Sequence, residues 1–262
     1  MKRAFLLLAL PLFLLSLVAV GTAAWNVWQQ PIFSTAEQAA VLEPAAKTAR
    51  SKKAKARRDN YALEAMEPMM AARNVHEIRE TIRQKATGTY LPEILLQRDS
   101  ALARWPERIA QPLRVWVSDG HYFPGWKLGY QERVREAFAE WQDLGIPVHF
   151  TFVLDSAEAD IRVFWTSQFS EPISGKTLWA RDRHWWIVNA TITLALHHNG
   201  GDPLDSRAIK AIALHEVGHL LGLDHTTDTG NIMTARVRVR DLSEADRATV
   251  RLLYTVPPGS IK

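Results

Sequence analysis

The run from His215 to His225 reads His-Glu-Val-Gly-His-Leu-Leu-Gly-Leu-Asp-His and constrains this chain more than any other feature. On an α-helix, residues four apart lie on one face, one turn apart. A helix here therefore brings the imidazoles of His215 and His219 to the separation that a single zinc ion needs. Glu216 is the next residue and points to the side of that face, towards a bound water. His225 cannot reach the same ion from a straight helix. Gly222 supplies the bend, because glycine takes the left-handed conformation without steric cost. Three neutral imidazoles leave a fourth position for water, the catalytic form of a zinc site. Glu216 is then the candidate general base for that water. A surface helix with accidental histidines would have no use for the base and the bend glycine beside three ligands.

With its surroundings, the motif resembles the metzincin zinc metallopeptidases, and most closely their matrixin branch (peptidase M10 type). Asn231-Ile232-Met233-Thr234 is similar to the Met-turn of that clan, and Leu242-Ser243-Glu244-Ala245-Asp246 through Leu252-Leu253-Tyr254 to the matrixin C-terminal helix. Ala137-Phe138 to Trp141 and Ala159-Asp160-Ile161 resemble the first helix and third strand. The likeness covers about residues 112–254. It implies an α+β, zincin-like catalytic domain: a mixed twisted sheet with an active-site helix, a Met-turn and a C-terminal helix. It implies a zinc metalloendopeptidase that hydrolyses peptide bonds in proteins, with His215, His219 and His225 on one catalytic Zn²⁺, Glu216 as general base and Met233 shaping the floor beneath. Matrixins commonly carry calcium and a second, structural zinc. Calcium is left open near Asp202 or over residues 155–158, where no specific loop supports it. The second zinc is not expected, since residues 175–186 lack the His-x-Asp pattern and Asp182, His184 and His198 would form only a remnant. The chain has no cysteine, which excludes a cysteine switch. The acidic pair that often opens the last helix is reduced to Asp246 after Ala245, and Asp246 is expected to support the Met-turn backbone. Ala235 stands where astacin-like relatives place a tyrosine ligand.

The 262 residues and net charge of +4 suit one domain with attached segments and give no ground for a nucleic-acid partner. Lys2-Arg3 precede an apolar run over residues 4–24, followed by Trp25 and Trp28. The run's length suits a membrane anchor, whereas Gly21-Thr22-Ala23-Ala24 suits cleavage of an export signal. The expected organisation is a signal or anchor over 1–28, a basic linker over 29–60, a helical N-terminal extension or pro-segment over 61–111, and the catalytic domain over 112–256. Protein or peptide substrates are the expected partners, with the membrane a further one if the apolar segment stays uncleaved. The catalytic domain is expected outside the cytoplasm, anchored or secreted. The alternative is a zinc-stabilised exported binding module without proteolysis, which would not require Glu216.

Periodicity predicts strands at 113–117, 148–153, 161–165, 177–180, 186–188 and 190–196. It predicts helices at 130–141 and 206–221, the latter capped by Asp205 or Ser206, and a last helix capped by Ser243 with Asp246. Helical spacing recurs over 61–85, and 90–109 reads as short helical and irregular structure. Trp116, Trp141 and Trp165 are expected in the core. Trp179, Trp185 and Trp186 fall near a cleft-edge strand, with core packing as the default. Neither His76 nor Asp99 is expected at the metal.

Overall fold

A computed structural model describes residues 74–262. Residues 1–73, including the apolar run at 4–24 and the basic linker at 29–60, lie outside them, and among the described residues no helix is long and apolar enough to cross a membrane.

Five strands form one mixed sheet: β2 (Arg108–Val117), β3 (Val148–Phe152), β4 (Ile161–Thr166), β5 (Gly175–Arg181) and β6 (Ile187–Ala195). Their order is β3-β2-β4-β6-β5, with all neighbours parallel except the antiparallel β5·β6 pair at the edge. A two-stranded antiparallel ribbon joins β1 (Ala101–Leu102) to β7 (Gly259–Ser260). Alternate residues face the helices: Leu113, Val115 and Val117 from β2, and Ile161, Val163 and Trp165 from β4, are all buried. The fold is thus the α+β, zincin-like arrangement expected, with helices packed on one face of the sheet.

That face carries α3 (Gly129–Gln142) and α4 (Ser206–Leu220). α3 buries Tyr130, Val134, Ala137, Phe138 and Trp141, a stripe of period near 3.6, and the chain leaves it through Gly145 at φ +72°. α4 starts at Asp205, whose carboxylate accepts the Ala208 N–H. Nearly all of its remaining surface is buried. Two indoles hold it in place: Trp141 Nε1 donates to the Leu214 carbonyl and Trp105 Nε1 to the Leu220 carbonyl, each at 2.9 Å. The last helix, α5 (Glu244–Thr255), starts with a reciprocal capping box between Ser243 and Asp246.

Three readings of the sequence need correction. The strand signals at 186–188 and 190–196 belong to one strand, β6. The pairing slips between Ala180 and Arg181 opposite Val188, so the apparent break is a bulge. Trp116 is not in the core; it lies half-exposed on the open face of the sheet, edge-on to Phe164 at 5.5 Å. Residues 90–109 are more ordered than the sequence suggests: beside the short helix α2 (Leu91–Gln97) they hold β1 and, past residues 103–107, the start of β2 at Arg108. Upstream of α2, α1 (Val75–Lys85) is capped by Asn74 and buries Ile78 and Ile82.

Leu91, Ile94, Leu102, Ala103 and Trp105 are all fully buried within the same core as α4. Truncating Trp105 to Ala is expected to lower the unfolding free energy by about 3–5 kcal/mol, through lost packing and an unpaired Leu220 carbonyl. A urea titration followed by circular dichroism would measure it. A change within experimental error would mean that residues before 112 do not unfold with the rest.

Candidate metal centre

The histidine cluster is built at the C-terminal end of α4. His215 and His219 project from its last turns, and the helix stops at Leu221. Gly222, at φ +101°, closes it with paired backbone bonds: Leu223 N to the Gly218 carbonyl and Gly222 N to the His219 carbonyl, both 3.0 Å. A side chain at Gly222 is excluded twice, because a Cβ would also run into the Ala103 carbonyl oxygen. The chain then turns back and presents His225.

The three Nε2 atoms stand 3.1 Å apart for His215–His219, 3.1 Å for His219–His225 and 3.3 Å for His215–His225. These contacts are not hydrogen bonds between the rings. His215 Nδ1 lies 2.8 Å from the Ile232 carbonyl and His219 Nδ1 3.1 Å from the Leu223 carbonyl. A carbonyl only accepts, so in both rings the proton sits on Nδ1 and Nε2 is a bare lone pair. Lone pairs this close repel one another unless a cation lies between them. Nitrogens about 2.0–2.1 Å from a tetrahedral zinc are about 3.3–3.4 Å from each other, close to the spacing seen. The donor set therefore fits zinc. Among the described residues, these three histidines are the group of metal-competent side chains that converges.

Burial keeps the imidazoles neutral. It pushes His215 down to about 4, an effect that the Ile232 carbonyl opposes, and it lowers His219 strongly and His225 as well. Glu216 is buried beside them, and burial pushes its carboxyl up to about 7 while the Thr177 hydroxyl pulls it down. Thr177 Oγ1 on the edge strand β5 lies 2.6 Å from Glu216 Oε2. Gly175, two residues earlier, is the wall against which this carboxylate lies, since a Cβ there would collide with Oε1. Glu216 thus sits between α4 and β5.

Beneath the three histidines Met233 is fully buried, and its sulfur occupies the space that a Cβ on Gly218 would need. Ile232 is held on both sides: its carbonyl receives His215, and its N–H donates to Asp246 Oδ2 at 2.9 Å. This is the support of the Met-turn by Asp246 expected from the sequence. Other residues considered for metals are used elsewhere. Asp182 Oδ1 accepts from the N–H groups of His184 and Trp186, Arg183 donates to His184 Nε2, and Asp155 caps the short turn Ser156–Glu158. Asp99 pairs with Lys262, and His76 lies on α1.

Sequence reasoning missed the partners of the site. Thr177, Gly175, Arg98, Gln97 and Glu93 carry no local signal, and the acceptor carbonyls of Ile232 and Leu223 carry none at all. Of the aromatics, Trp186 is buried under the Arg104 guanidinium, and Trp179 lies beneath that of Arg98 at 5.2 Å.

Residues 127–255 match the matrixin family model. The chain is 27% identical over 157 residues to matrix metalloproteinase-15 of Homo sapiens, covering 51% of this chain and 23% of the relative. It is 23% identical over 150 residues to metalloendoproteinase 1 of Glycine max (49% and 47%), and 28% identical over 145 residues to metalloendoproteinase 1-MMP of Arabidopsis thaliana (47% and 37%). The chain thus spans between about a quarter and a half of the length of these relatives.

The pH dependence of metal-free protein follows from these groups. Between about pH 6.5, the ordinary histidine value, and about 4, unfolded histidines bind protons that buried His215 refuses, and the lowering of His219 acts in the same direction. Their contribution to stability is present above 6.5 and lost as pH falls through this window. Glu216 acts oppositely: its raised value gives stability below about 4.5 that fades as pH rises through about 7. Histidines outnumber the single carboxyl, so chelator-treated protein should unfold at lower urea at pH 5 than at pH 7. Glu216→Gln should steepen that dependence, and a flat or reversed profile in both proteins would contradict the buried neutral cluster.

Proposed function

We propose that this chain is a zinc-dependent metalloendopeptidase, exported by its N-terminal apolar segment as an anchored or secreted protein, and acting on proteins or peptides. The observation that carries the reading is the triangle of bare Nε2 atoms beside a buried carboxylate. One zinc ion is proposed, held by His215, His219 and His225; calcium is not part of the proposal. Bound there, zinc supplies Lewis acidity to the scissile carbonyl and lowers the pKa of the attacking water.

The chain's own residues do the rest. Glu216, raised towards neutrality by burial, accepts the water's proton and then delivers it to the leaving amine. The Thr177 hydroxyl holds the carboxylate in the orientation that this transfer needs. Nδ1–H donation from His215 and His219 to fixed carbonyls keeps both rings in the ligating tautomer. Residues 90–111 are proposed as part of the functional unit rather than a removable pro-segment, because Leu91, Ile94, Leu102, Ala103 and Trp105 lie in its core.

Two measurements test this reading. His215→Ala, His219→Ala and His225→Ala should each lower zinc occupancy in metal analysis; full retention in all three would remove the assignment. Glu216→Gln should keep zinc and fold while chelator-sensitive hydrolysis of a peptide library falls by at least roughly 10²-fold. Unchanged hydrolysis would place the base elsewhere. A zinc-loaded wild type that cleaves nothing would favour the binding module.

A further inference from the structure

The residues that brace the third ligand come from outside the matched region, from α2 and the residue after it. Arg98 spreads its guanidinium over the turn between His219 and His225. Its Nε donates to Asp224 Oδ2 at 2.7 Å, one terminal nitrogen to the Gly222 carbonyl at 2.8 Å and the other to the Leu223 carbonyl at 3.1 Å. That Leu223 carbonyl is the acceptor of His219 Nδ1–H. One step along α2, Gln97 Nε2 donates to the carbonyl of His225 itself at 2.7 Å. One turn back, Glu93 accepts the Thr227 N–H at 2.9 Å and the Thr226 hydroxyl at 3.2 Å. Thr226 in turn donates its N–H to the Met233 carbonyl at 3.0 Å. Two side chains of one short helix and that of the residue after it thus engage residues 222–227, and they reach the carbonyls, the N–H and the side chains of this loop, not the ligating nitrogens.

We propose that Arg98, assisted by Glu93 and Gln97, is the positioning clamp of the metal centre: it fixes the acceptor that orients His219 and the loop that presents His225. A planar fork of donors suits the task, since one guanidinium spans two carbonyls and a carboxylate at fixed angles, which an ammonium cannot do. Asp224 balances the cation, and the Trp179 ring lies under it, which joins the clamp to the edge strand that carries Thr177. The segment holding Arg98 is anchored independently. Tyr90 donates its hydroxyl to Asp246 Oδ1 at 2.9 Å, and its N–H to the Thr249 hydroxyl at 3.0 Å. This segment therefore builds the site instead of blocking it. The inference rests on the reading of the three histidines as zinc ligands.

The test uses the full chain and reads zinc affinity by competition with a chelator, so it does not depend on hydrolysis. Loss of an outer partner of a metal ligand costs about 10–100-fold in affinity. Arg98→Ala should fall in that range, and Arg98→Lys, which keeps the charge beside Asp224 but loses the fork, should fall between it and wild type. If Arg98→Ala does not fold, Arg98→Lys carries the test alone. Combined with His225→Ala, the Arg98 substitution should cost less than the sum of the two losses, because the loop it holds no longer ligates. Wild-type zinc affinity in Arg98→Lys, or strictly additive losses in the double variant, overturns the clamp. A wild-type chain that takes up no zinc overturns both clamp and peptidase. Zinc uptake without hydrolysis overturns the peptidase reading alone.

Discussion

Three imidazole lone pairs within 3.3 Å of one another are an arrangement that a protein does not reach by default. Each nitrogen is poorer for the approach of the other two, and burial removes the water that would otherwise solvate them. The rings must be held in place by their far sides. Ile232 and Leu223 do this with backbone carbonyls, and both lie on the chain that follows α4. The arrangement is then only as firm as that returning chain. Hence the second tier: Asp246 on the Ile232 N–H, Arg98 on the Leu223 carbonyl, and the Thr226–Met233 bond that ties the two stretches together.

A second constraint is room. Gly218 has no side chain because Met233 lies against the helix there, and Gly175 has none because the Glu216 carboxylate lies against the strand. The helix α4 is approached on two sides at distances that only backbone tolerates. Such contacts leave little slack, and a neighbour's shift by one methyl group would be felt at the cluster.

What was legible in the sequence is what acts through local spacing. The i, i+4 pair of histidines, the bend glycine, the capping box at Ser243 and the period of α3 are all of this kind, as is most of the sheet through its alternation. Gly222 shows the limit. Its positive φ is readable from the motif, whereas the Ala103 carbonyl that also excludes a side chain lies over a hundred positions away. Thr177 looks like any strand threonine, and Arg98 like any solvated helix-end cation, until tertiary contacts bring them to the cluster. Backbone acceptors leave no trace in a sequence, and the slip opposite Val188 reads as two strands because alternation cannot tell a bulge from a break.

Residues 254–261 close this structure. Tyr254 donates its hydroxyl to the Leu221 carbonyl, β7 pairs with β1, and Arg79 and Ser100 bond to the backbone of Ile261. A polypeptide is made from its N-terminus onward. While it is being made, His215 and His219 exist before the helix that steadies the Met-turn, and the ribbon beside Arg98 lacks its second strand until Gly259 and Ser260 arrive. The cluster therefore depends on residues as far on as Ile261, and a product that stops short of them carries the motif without its scaffold.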